Sequence, residues 1–237
     1  MFARMDIRRL DIRLLIFDLD GTLIDSKRDL VEAVNATRAS LRMGPLDDDT
    51  ISSYVGNGAP TLIRRSIGPG FDEEALVRAL EFFLSYYREH KLDHTGLYPG
   101  VREALAAFGD RTLAVLTNKP VRISREILAG LGVAGRFRCV YGGNSFETKK
   151  PHPEGALQIL RETDVDAARS IIVGDSAVDV QTGRNAGILT CGVRYGFAPD
   201  HFDVHPPDIV VDNLGELAAL LDSAGLPIAD FGLRIAD

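Results

Sequence analysis

The chain has only two cysteines among its 237 residues, Cys139 and Cys191, and they lack the spacing of metal ligands. Two cysteines are too few for a disulfide scaffold, so both are expected to be reduced packing residues. No apolar run approaches the roughly 20 residues that a membrane span requires. The first ten residues, MFARMDIRRL, contain arginine but no apolar core, so no secretory signal is expected there. These absences favour a cytoplasmic protein without a membrane partner.

Positive charge is also scarce. Lysine and arginine together number 27 against 34 aspartates and glutamates, which gives a net charge of −7. An acidic chain is a poor default partner for nucleic acid, so none is expected. A small anionic substrate is not excluded, since a metal ion or a lysine can dominate the charge of one site. The length suits one large domain, or a main domain with a smaller insertion.

Short apolar runs alternate with helical patterns along most of the chain. This alternation predicts an α/β fold, a Rossmann-like parallel sheet with helices on both faces. The predicted strands span residues 14–17, 112–116, 138–141, 170–173, 189–193 and 208–211. The predicted helices between them span residues 101–109, 121–131, 153–163, 178–186 and 214–222.

One segment, from residue 26 to about residue 92, breaks the alternation because it contains only helical patterns. Ser26 and Asp29 have the spacing of a capping box that begins a helix. The segment predicts an inserted α-helical cap at 26–97, with the core formed by 1–25 and 98–237. Apolar residues recur at helical spacing at Leu76, Leu80, Phe83 and Tyr87. The aromatic side chains of Phe82, Phe83, Tyr86 and Tyr87 are interpreted as packing within the cap.

Polar side chains follow several of the predicted strands. Ligands of open α/β sheets bind at the carboxyl ends of the strands, so these side chains are expected to share one pocket. They are Asp18 and Asp20 after the first strand, Thr117 and Asn118 after the second, Asp175, Ser176 and Asp179 after the fourth, and Lys150 before a helix. Each motif alone is more typical of a turn, a helix cap or a solvated charge than of a site. The acidic run 46–50 is interpreted in the same way, as a solvated helix start. Their combination in this order indicates an active site.

Several carboxylates in one pocket repel each other unless a cation is present. Mg²⁺ prefers oxygen ligands and commonly binds carboxylates together with a substrate phosphate. The sequence therefore predicts a magnesium site for a phosphoryl group. Asp18 is expected to attack phosphorus, and Asp20 to donate and then accept a proton. Thr117 and Lys150 are expected to hold phosphoryl oxygens, and Gly21 to permit a sharp turn beside the ligand.

From about Leu14 to Leu221 the chain resembles the haloacid dehalogenase superfamily of phosphohydrolases, and within it the phosphoglycolate phosphatase group. The matching motifs are DLDGTLIDS, LTNKP, KKPHP and VGDSAVD. The resemblance implies an aspartyl-phosphate intermediate on Asp18, a five-stranded parallel core sheet and a mobile helical cap. It also implies that Mg²⁺ contacts Asp18, the backbone carbonyl of Asp20 and Asp175. The supporting and phosphate-binding positions that it implies are Gly21, Asn118, Ser176 and Asp179.

The cap is expected to determine the substrate. The stretch YVGNGAPTLIRR, residues 54–65, resembles the cap loop and helix of phosphoglycolate phosphatases. Gly56, Asn57 and Gly58 are expected to approach a small ligand, and Arg65 is the candidate cation for a substrate carboxylate.

These patterns predict a phosphoric monoester hydrolase, monomeric or homodimeric, that converts 2-phosphoglycolate into glycolate and phosphate. Related hydrolases that act on pyrophosphate, sugar phosphates or nucleotides share the same catalytic motifs and stay open, as does a phosphomutase. Dehalogenase and phosphonatase activities are disfavoured, because both lack the second aspartate that is Asp20 here. The alternative from another class is a catalytically silent protein that binds a phosphorylated ligand.

Overall fold

The predicted parallel α/β architecture is present in a computed structural model, which describes residues 11–198 and 202–222. The strands are β1 (Leu14–Phe17), β2 (Ile24–Asp25), β3 (Gly96–Leu97), β4 (Thr112–Leu116), β5 (Cys139–Tyr141), β6 (Ser170–Gly174), β7 (Leu189–Val193) and β8 (Ile209–Val211). Six of them form one parallel sheet in the order β5-β4-β1-β6-β7-β8. The expectation for the first ten residues lies outside the described residues.

The helices are α1 (Lys27–Ser40), α2 (Asp48–Tyr54), α3 (Ala59–Ile67), α4 (Glu73–His90), α5 (Val101–Ala107), α6 (Val121–Gly130), α7 (Glu154–Thr163), α8 (Ala177–Ala186) and α9 (Leu214–Asp222). The five predicted core helices, α5 to α9, end within two residues of their predicted bounds. The acidic run 46–50 opens α2, where the carboxylate of Asp47 accepts a hydrogen bond from the backbone N–H of Thr50. Across the two described ranges, the helices are all too short or too polar to cross a bilayer.

The sheet has one strand more than the five that the family resemblance implied. The additional strand is β8, which pairs with β7 in parallel register, Cys191 opposite Ile209. Val211 of β8 is buried, and the adjoining helix α9 contributes the buried residues Leu214 and Leu217. The six strands predicted from the apolar runs, including 208–211, are therefore confirmed, whereas the five strands that the resemblance implied leave out this edge, which has its own apolar surface to cover.

The central strand β1 is apolar on both faces. Leu14 and Ile16 point into one hydrophobic cluster, whereas Leu15 and Phe17 point into another on the opposite face. All four side chains are fully buried. Alternation of side chains along a strand therefore places apolar residues against helices on both sides of the sheet. This strand is a rigid support for whatever follows Phe17.

The four helices α1 to α4 lie between β2 and β3, which pair antiparallel with Ile24 opposite Leu97. Helix α1 packs against α2 and α4, and α3 packs against α4. Helix α4 buries Leu76, Phe83 and Tyr87, as its periodicity predicts. The short pair of strands thus joins the two chain segments through which this helical part connects to the core. The exact domain bounds, 26–97 within 1–25 and 98–237, stay a prediction.

The predicted capping box at the start of α1 is not formed. Ser26 donates its hydroxyl to Asp20 Oδ1 at 2.5 Å and makes no side-chain cap bond. Asp29 is buried and accepts hydrogen bonds from the backbone N–H groups of His94 and Thr95 and from the Thr95 hydroxyl. The prediction was wrong because Ser26 bonds to Asp20, which lies before the helix, and Asp29 bonds to His94 and Thr95, which are distant in sequence. Asp29 ties the first cap helix to the segment that leads into β3.

We expect Asp29→Ala to lower the free energy of unfolding by about 2–4 kcal/mol, because three buried or half-buried donors lose their acceptor. Urea unfolding monitored by circular dichroism measures the change. Glu32→Ala on the same helix is the matched control, since Glu32 pairs with Arg28 and with the ring of His94 near the surface, where an ion pair contributes about 1 kcal/mol or less. Equal losses in the two variants would contradict a special role for Asp29.

Candidate active site

Strand register brings the predicted motifs to one edge of the sheet. Phe17 of β1 lies level with Val115 of β4 and Val173 of β6. Asp18 follows Phe17, and its backbone N–H donates to the carbonyl of Val173 at 2.9 Å. Thr117 and Asp175 each follow their strand at nearly the same level. The carboxyl ends of the three central strands therefore present their polar side chains to a common space.

A buried ion pair lies at the centre of this edge. Lys150 Nζ is 2.9 Å from Asp18 Oδ1 and 2.6 Å from Asp179 Oδ1, and the three residues are all less than 9% exposed. The backbone N–H of Leu19 also donates to Asp18 Oδ1 at 2.7 Å. Asp18 is thus held in one orientation by a lysine that is itself anchored by Asp179.

The residues after β6 combine a helix cap with the site. The carboxylate of Asp179 accepts from the backbone N–H and the hydroxyl of Ser176, which completes a capping box at the start of α8. Asp175 is buried, and its Oδ2 accepts from the backbone N–H of Phe197 at 2.7 Å. Ser176 therefore supports Asp179, while Asp175 faces Asp18 across the site.

The buried charges around Asp18 do not balance. Carboxylate oxygens of Asp18, Asp175 and Asp179 lie within 4.8 Å of one another, and Lys150 is the cation between them. Burial raises the pKa of Asp18 to about 6, and the charge of Asp179 adds to this, although Lys150 opposes it. Burial, together with the charge of Asp179, raises the pKa of Asp175 well above its usual value. Excess negative charge and oxygen donors fit a hard divalent cation such as Mg²⁺.

The second aspartate of the first motif, Asp20, binds Lys119, which was not among the predicted site residues. Lys119 Nζ lies 2.9 Å and 3.1 Å from the two carboxylate oxygens of Asp20, and it donates to the Tyr87 hydroxyl at 2.7 Å. Lys119 belongs to the motif LTNKP, two residues after Thr117. Its place in that motif is the signal that could have identified it as a site residue. Asp20 also accepts from Ser26. The carboxylate of Asp20 is therefore held from two sides.

Tyr87 was predicted only to pack within the cap, but it also contacts the core. Its ring is buried and stacks on Phe83 with a centroid distance of 5.7 Å, which agrees with the prediction. Its hydroxyl, however, contacts Lys119 of the core. Burial raises the pKa of Tyr87 to about 12. The charge of Asp20 and the contact with Tyr87 raise the pKa of Lys119 despite its burial, so it stays cationic.

Thr117 and Asn118 line the same space. Thr117 is 3% exposed, and its hydroxyl oxygen accepts from the backbone N–H of Lys119 at 3.3 Å. Asn118 Nδ2 donates to the carbonyls of Gly56 and Lys150 at 2.9 Å and 3.0 Å. Asn118 Oδ1 is buried without a hydrogen-bond partner among the described residues. Asn118 therefore joins the cap loop to the backbone beside the central ion pair.

Gly21 lies where a side chain would collide with the site. Its φ is +80°, a left-handed value that favours glycine, and a Cβ atom there would lie 2.3 Å from Asp175 Oδ2. The chain therefore reverses direction directly against a carboxylate that could bind a metal ion. Only a residue without a side chain permits both the turn and the close approach.

The structure brings three of the four predicted cap residues to the core. The carbonyls of Gly56 and Asn57 accept from Asn118 and from Lys149 Nζ respectively, and a Cβ atom on Gly58 would lie 3.1 Å from the Asn118 carbonyl. Arg65 is not brought there. It is exposed on the outer face of α3, whose inner face buries Leu62, Ile63 and Ser66.

A cleft between cap and core contains these groups. Its core side is polar and includes Asp18, Asp20, Thr117 and Asp175. The side chains on its cap side are apolar apart from the hydroxyl of Tyr87. The apolar residues are Leu30, Val55, Ala59, Leu62, Phe83 and Leu84. The arrangement suits a ligand whose charged end faces the strands and whose small remainder is enclosed by the cap.

Comparison with known proteins agrees with this geometry. The family model for haloacid dehalogenase-like hydrolases matches residues 15–193. A phosphoglycolate phosphatase of Pseudomonas putida is 37% identical over 95% of this chain and 84% of that protein. An N-acetylmuramic acid 6-phosphate phosphatase of Pseudomonas aeruginosa is 33% identical over 92% of this chain and 98% of that protein. The crystal structure of a predicted phosphoglycolate phosphatase from Haemophilus somnus superposes with a TM-score of 0.84 at 28% identity, covering 89% and 98% of the two chains.

We expect Mg²⁺ to stabilise the protein more at pH 7.5 than at pH 5. Since burial raises the pKa of Asp18 to about 6, the metal-free protein loses stability as the pH rises from about 4 through 6 and this carboxyl ionises. Protons therefore compete with the metal at pH 5 and not at pH 7.5. Thermal unfolding with MgCl₂, against NaCl of equal ionic strength, measures the effect. Equal shifts at both pH values, or an equal shift with NaCl, would contradict the metal site.

We expect Gly21→Ala to abolish the Mg²⁺-dependent rise in Tm, because its Cβ atom displaces Asp175. Gly100→Ala is the matched control. Gly100 has nearly the same φ, +79°, but nothing lies within 4 Å of its Cβ position. Both variants carry the cost of a left-handed alanine, about 1 kcal/mol, so only the collision separates them. A normal Mg²⁺ shift in Gly21→Ala would show that the close approach is unimportant.

Proposed function

Because this chain belongs to the family of haloacid dehalogenase-like hydrolases, we propose that it is a Mg²⁺-dependent phosphatase that converts 2-phosphoglycolate into glycolate and phosphate. The observation that carries this proposal is the setting of Asp18. It is a buried carboxylate at the end of the central strand, paired with Lys150, and a second aspartate, Asp20, lies two residues further along. A nucleophile, a cation and a proton carrier in one cleft are the groups that hydrolysis of a phosphate ester requires.

In the first step, a carboxylate oxygen of Asp18 attacks phosphorus. A bond forms between that oxygen and phosphorus, and the bond from phosphorus to the glycolate oxygen breaks. Asp20 donates its proton to the departing oxygen, which leaves as the glycolate hydroxyl. Asp18 now carries the phosphoryl group as an aspartyl phosphate. The ammonium of Lys150, 2.9 Å from Asp18, is placed to offset the charge of the transferred group.

In the second step, water attacks the phosphorus of the aspartyl phosphate. Asp20, ionised after the first step, accepts a proton from this water. The bond between phosphorus and the Asp18 oxygen breaks, which restores the carboxylate and releases inorganic phosphate. Ser26 and Lys119 hold Asp20 through both steps, since each contacts its carboxylate. The enzyme therefore ends in the protonation state in which it began.

Asp18, Asp175 and the backbone carbonyl of Asp20 would hold the Mg²⁺ ion. When bound, the ion supplies positive charge against the oxygens of the phosphoryl group. The excess of carboxylates around Lys150 fits this role. Asp179, which is bonded to Lys150 and Ser176, orients the lysine and leaves the other two carboxylates to the metal.

Two observations support a small substrate. The cap side of the cleft is apolar apart from the Tyr87 hydroxyl, and several relatives at 36–37% identity are named phosphoglycolate phosphatases. The relative named N-acetylmuramic acid 6-phosphate phosphatase makes a sugar phosphate the second candidate. We place the enzyme in the cytoplasm, because both of its cysteines are free thiols, as is usual in a reducing compartment.

We expect Asp18→Asn to reduce phosphate release from 2-phosphoglycolate by at least about 1,000-fold, because an amide is a poor nucleophile. Asp110→Asn is the matched control, since Asp110 is exposed on the loop before β4. The assay measures kcat/KM for 2-phosphoglycolate beside N-acetylmuramic acid 6-phosphate, other sugar phosphates, nucleotides and pyrophosphate.

Each competing function has its own result in this assay. A tenfold or larger preference for another ester, about 1.4 kcal/mol in transition-state binding, would overturn the choice of 2-phosphoglycolate. A phosphorylated isomer in place of free phosphate would indicate a mutase. Absence of turnover with every ester would indicate a binding protein. Full activity of Asp18→Asn would exclude Asp18 as the nucleophile.

A further inference from the structure

We infer that Lys119 is the residue that binds the carboxylate of 2-phosphoglycolate, with the hydroxyl of Tyr87 as a second donor. This inference rests on the proposed function and names the group that would make the enzyme specific for a substrate with a carboxylate next to the phosphate ester. It replaces Arg65 as the candidate cation. Arg65 is exposed on α3 and does not line the cleft.

The first observation is the charge of the cleft wall. Among the described residues that line the cleft, Lys119 is the one that carries a positive charge. Lys150 lies behind Asp18, where its contacts are with Asp18 and Asp179. A substrate carboxylate enclosed against the apolar cap requires a cation or a hydrogen-bond donor, because an unpaired buried carboxylate is strongly unfavourable.

The second observation is the position of Lys119 relative to the departing oxygen. Its Nζ contacts both oxygens of Asp20, the residue proposed to protonate that oxygen. In 2-phosphoglycolate one methylene group separates the departing oxygen from the carboxylate. When the departing oxygen lies close enough to Asp20 to accept its proton, the substrate carboxylate, one methylene group away, therefore lies near Lys119. No rearrangement of the backbone is required.

The third observation is the number of donors. An ammonium group has three N–H donors, and those of Lys119 face the two oxygens of Asp20 and the Tyr87 hydroxyl. When Asp20 turns one oxygen towards the departing group, one N–H of Lys119 is released for the substrate carboxylate. The Tyr87 hydroxyl accepts from Lys119, so its own proton remains to donate to the same carboxylate.

The fourth observation is that the lysine is already ordered. Lys119 is 6% exposed, and its Nζ lies 4.4 Å from the centroid of the Tyr87 ring. That ring is 2% exposed and stacks on Phe83. Because Lys119 is already held in one conformation by burial, it loses little rotamer freedom when an anion binds. The site is therefore preorganised for an anion. Because Tyr87 belongs to α4 and Lys119 to the core, the carboxylate would be bound by both parts of the protein.

The test compares two esters that differ only in the carboxylate. In ethyl phosphate a methyl group replaces the carboxylate of 2-phosphoglycolate, so the ratio of their kcat/KM values isolates recognition of that group. We expect Lys119→Met to lower this ratio by about 10- to 100-fold, the range for a hydrogen bond to a charged group. Tyr87→Phe, which removes only the hydroxyl, is expected to lower the ratio by a smaller factor.

Lys27→Met is the matched control, because it also removes a lysine that pairs with an aspartate, Asp49, but at the surface. We expect its ratio to equal that of the unaltered protein. If Lys119→Met is too slow to assay, calorimetry with Mg²⁺ on Asp18→Asn and on Asp18→Asn with Lys119→Met measures the Kd of both esters. The same selective loss for 2-phosphoglycolate is expected.

The outcomes separate this inference from the proposed function. Parallel losses for both esters would mean that Lys119 only positions Asp20, and would overturn the inference while leaving the proposed function intact. A selective loss in Arg65→Met with none in Lys119→Met would overturn it in favour of the cap arginine. If the unaltered protein does not prefer 2-phosphoglycolate to ethyl phosphate, the proposed substrate fails, and the carboxylate role of Lys119 fails with it.

Discussion

The ion pair of Lys150 with Asp18 and Asp179 is the interaction on which the rest of the site depends. All three groups are almost fully buried, and a buried charge is tolerated only when it is paired and hydrogen-bonded. Lys150 compensates part of the negative charge at this edge, and Asp175 adds to it again. Burial, together with the charge of Asp179, raises the pKa values of Asp18 and Asp175, and an uncompensated group of carboxylates of this kind fits a divalent cation.

Packing around this charged centre leaves very little free space. A Cβ atom on Gly174 would lie 2.1 Å from Asp179 Cγ, and one on Gly196 would lie 2.1 Å from Asp175 Cβ. Gly21 approaches Asp175 from a third direction. Since these backbone segments touch the carboxylates directly, the carboxylates have few alternative positions. Carboxylates held in this way lose little conformational freedom when a ligand binds.

The helical cap is connected to the charged centre by Asn118 and Lys119, which follow β4, and by Lys149, which begins the motif KKPHP. Asn118 and Lys149 donate to the cap loop at Gly56 and Asn57, and Lys119 donates to Tyr87 of α4. Each of these core residues lies within two positions of a catalytic candidate, Thr117 or Lys150. Contacts from the cap therefore reach the positions where chemistry is proposed, which couples recognition of the substrate to the arrangement of the catalytic groups.

The sequence by itself determined the parallel α/β fold, the helical insertion and the group of polar residues at the strand ends. These features follow from local periodicity and from the rule that parallel strands present their carboxyl ends together, so Asp18, Thr117 and Asp175 could be placed in one pocket without coordinates. Only the tertiary structure decided which partner each side chain takes. Ser26 and Asp29 have capping-box spacing yet bind Asp20 and the segment at His94 and Thr95, and Arg65 faces outward while Lys119 faces the cleft. Such choices depend on contacts between residues far apart in the chain and on which face of a helix is buried, and local spacing does not encode either.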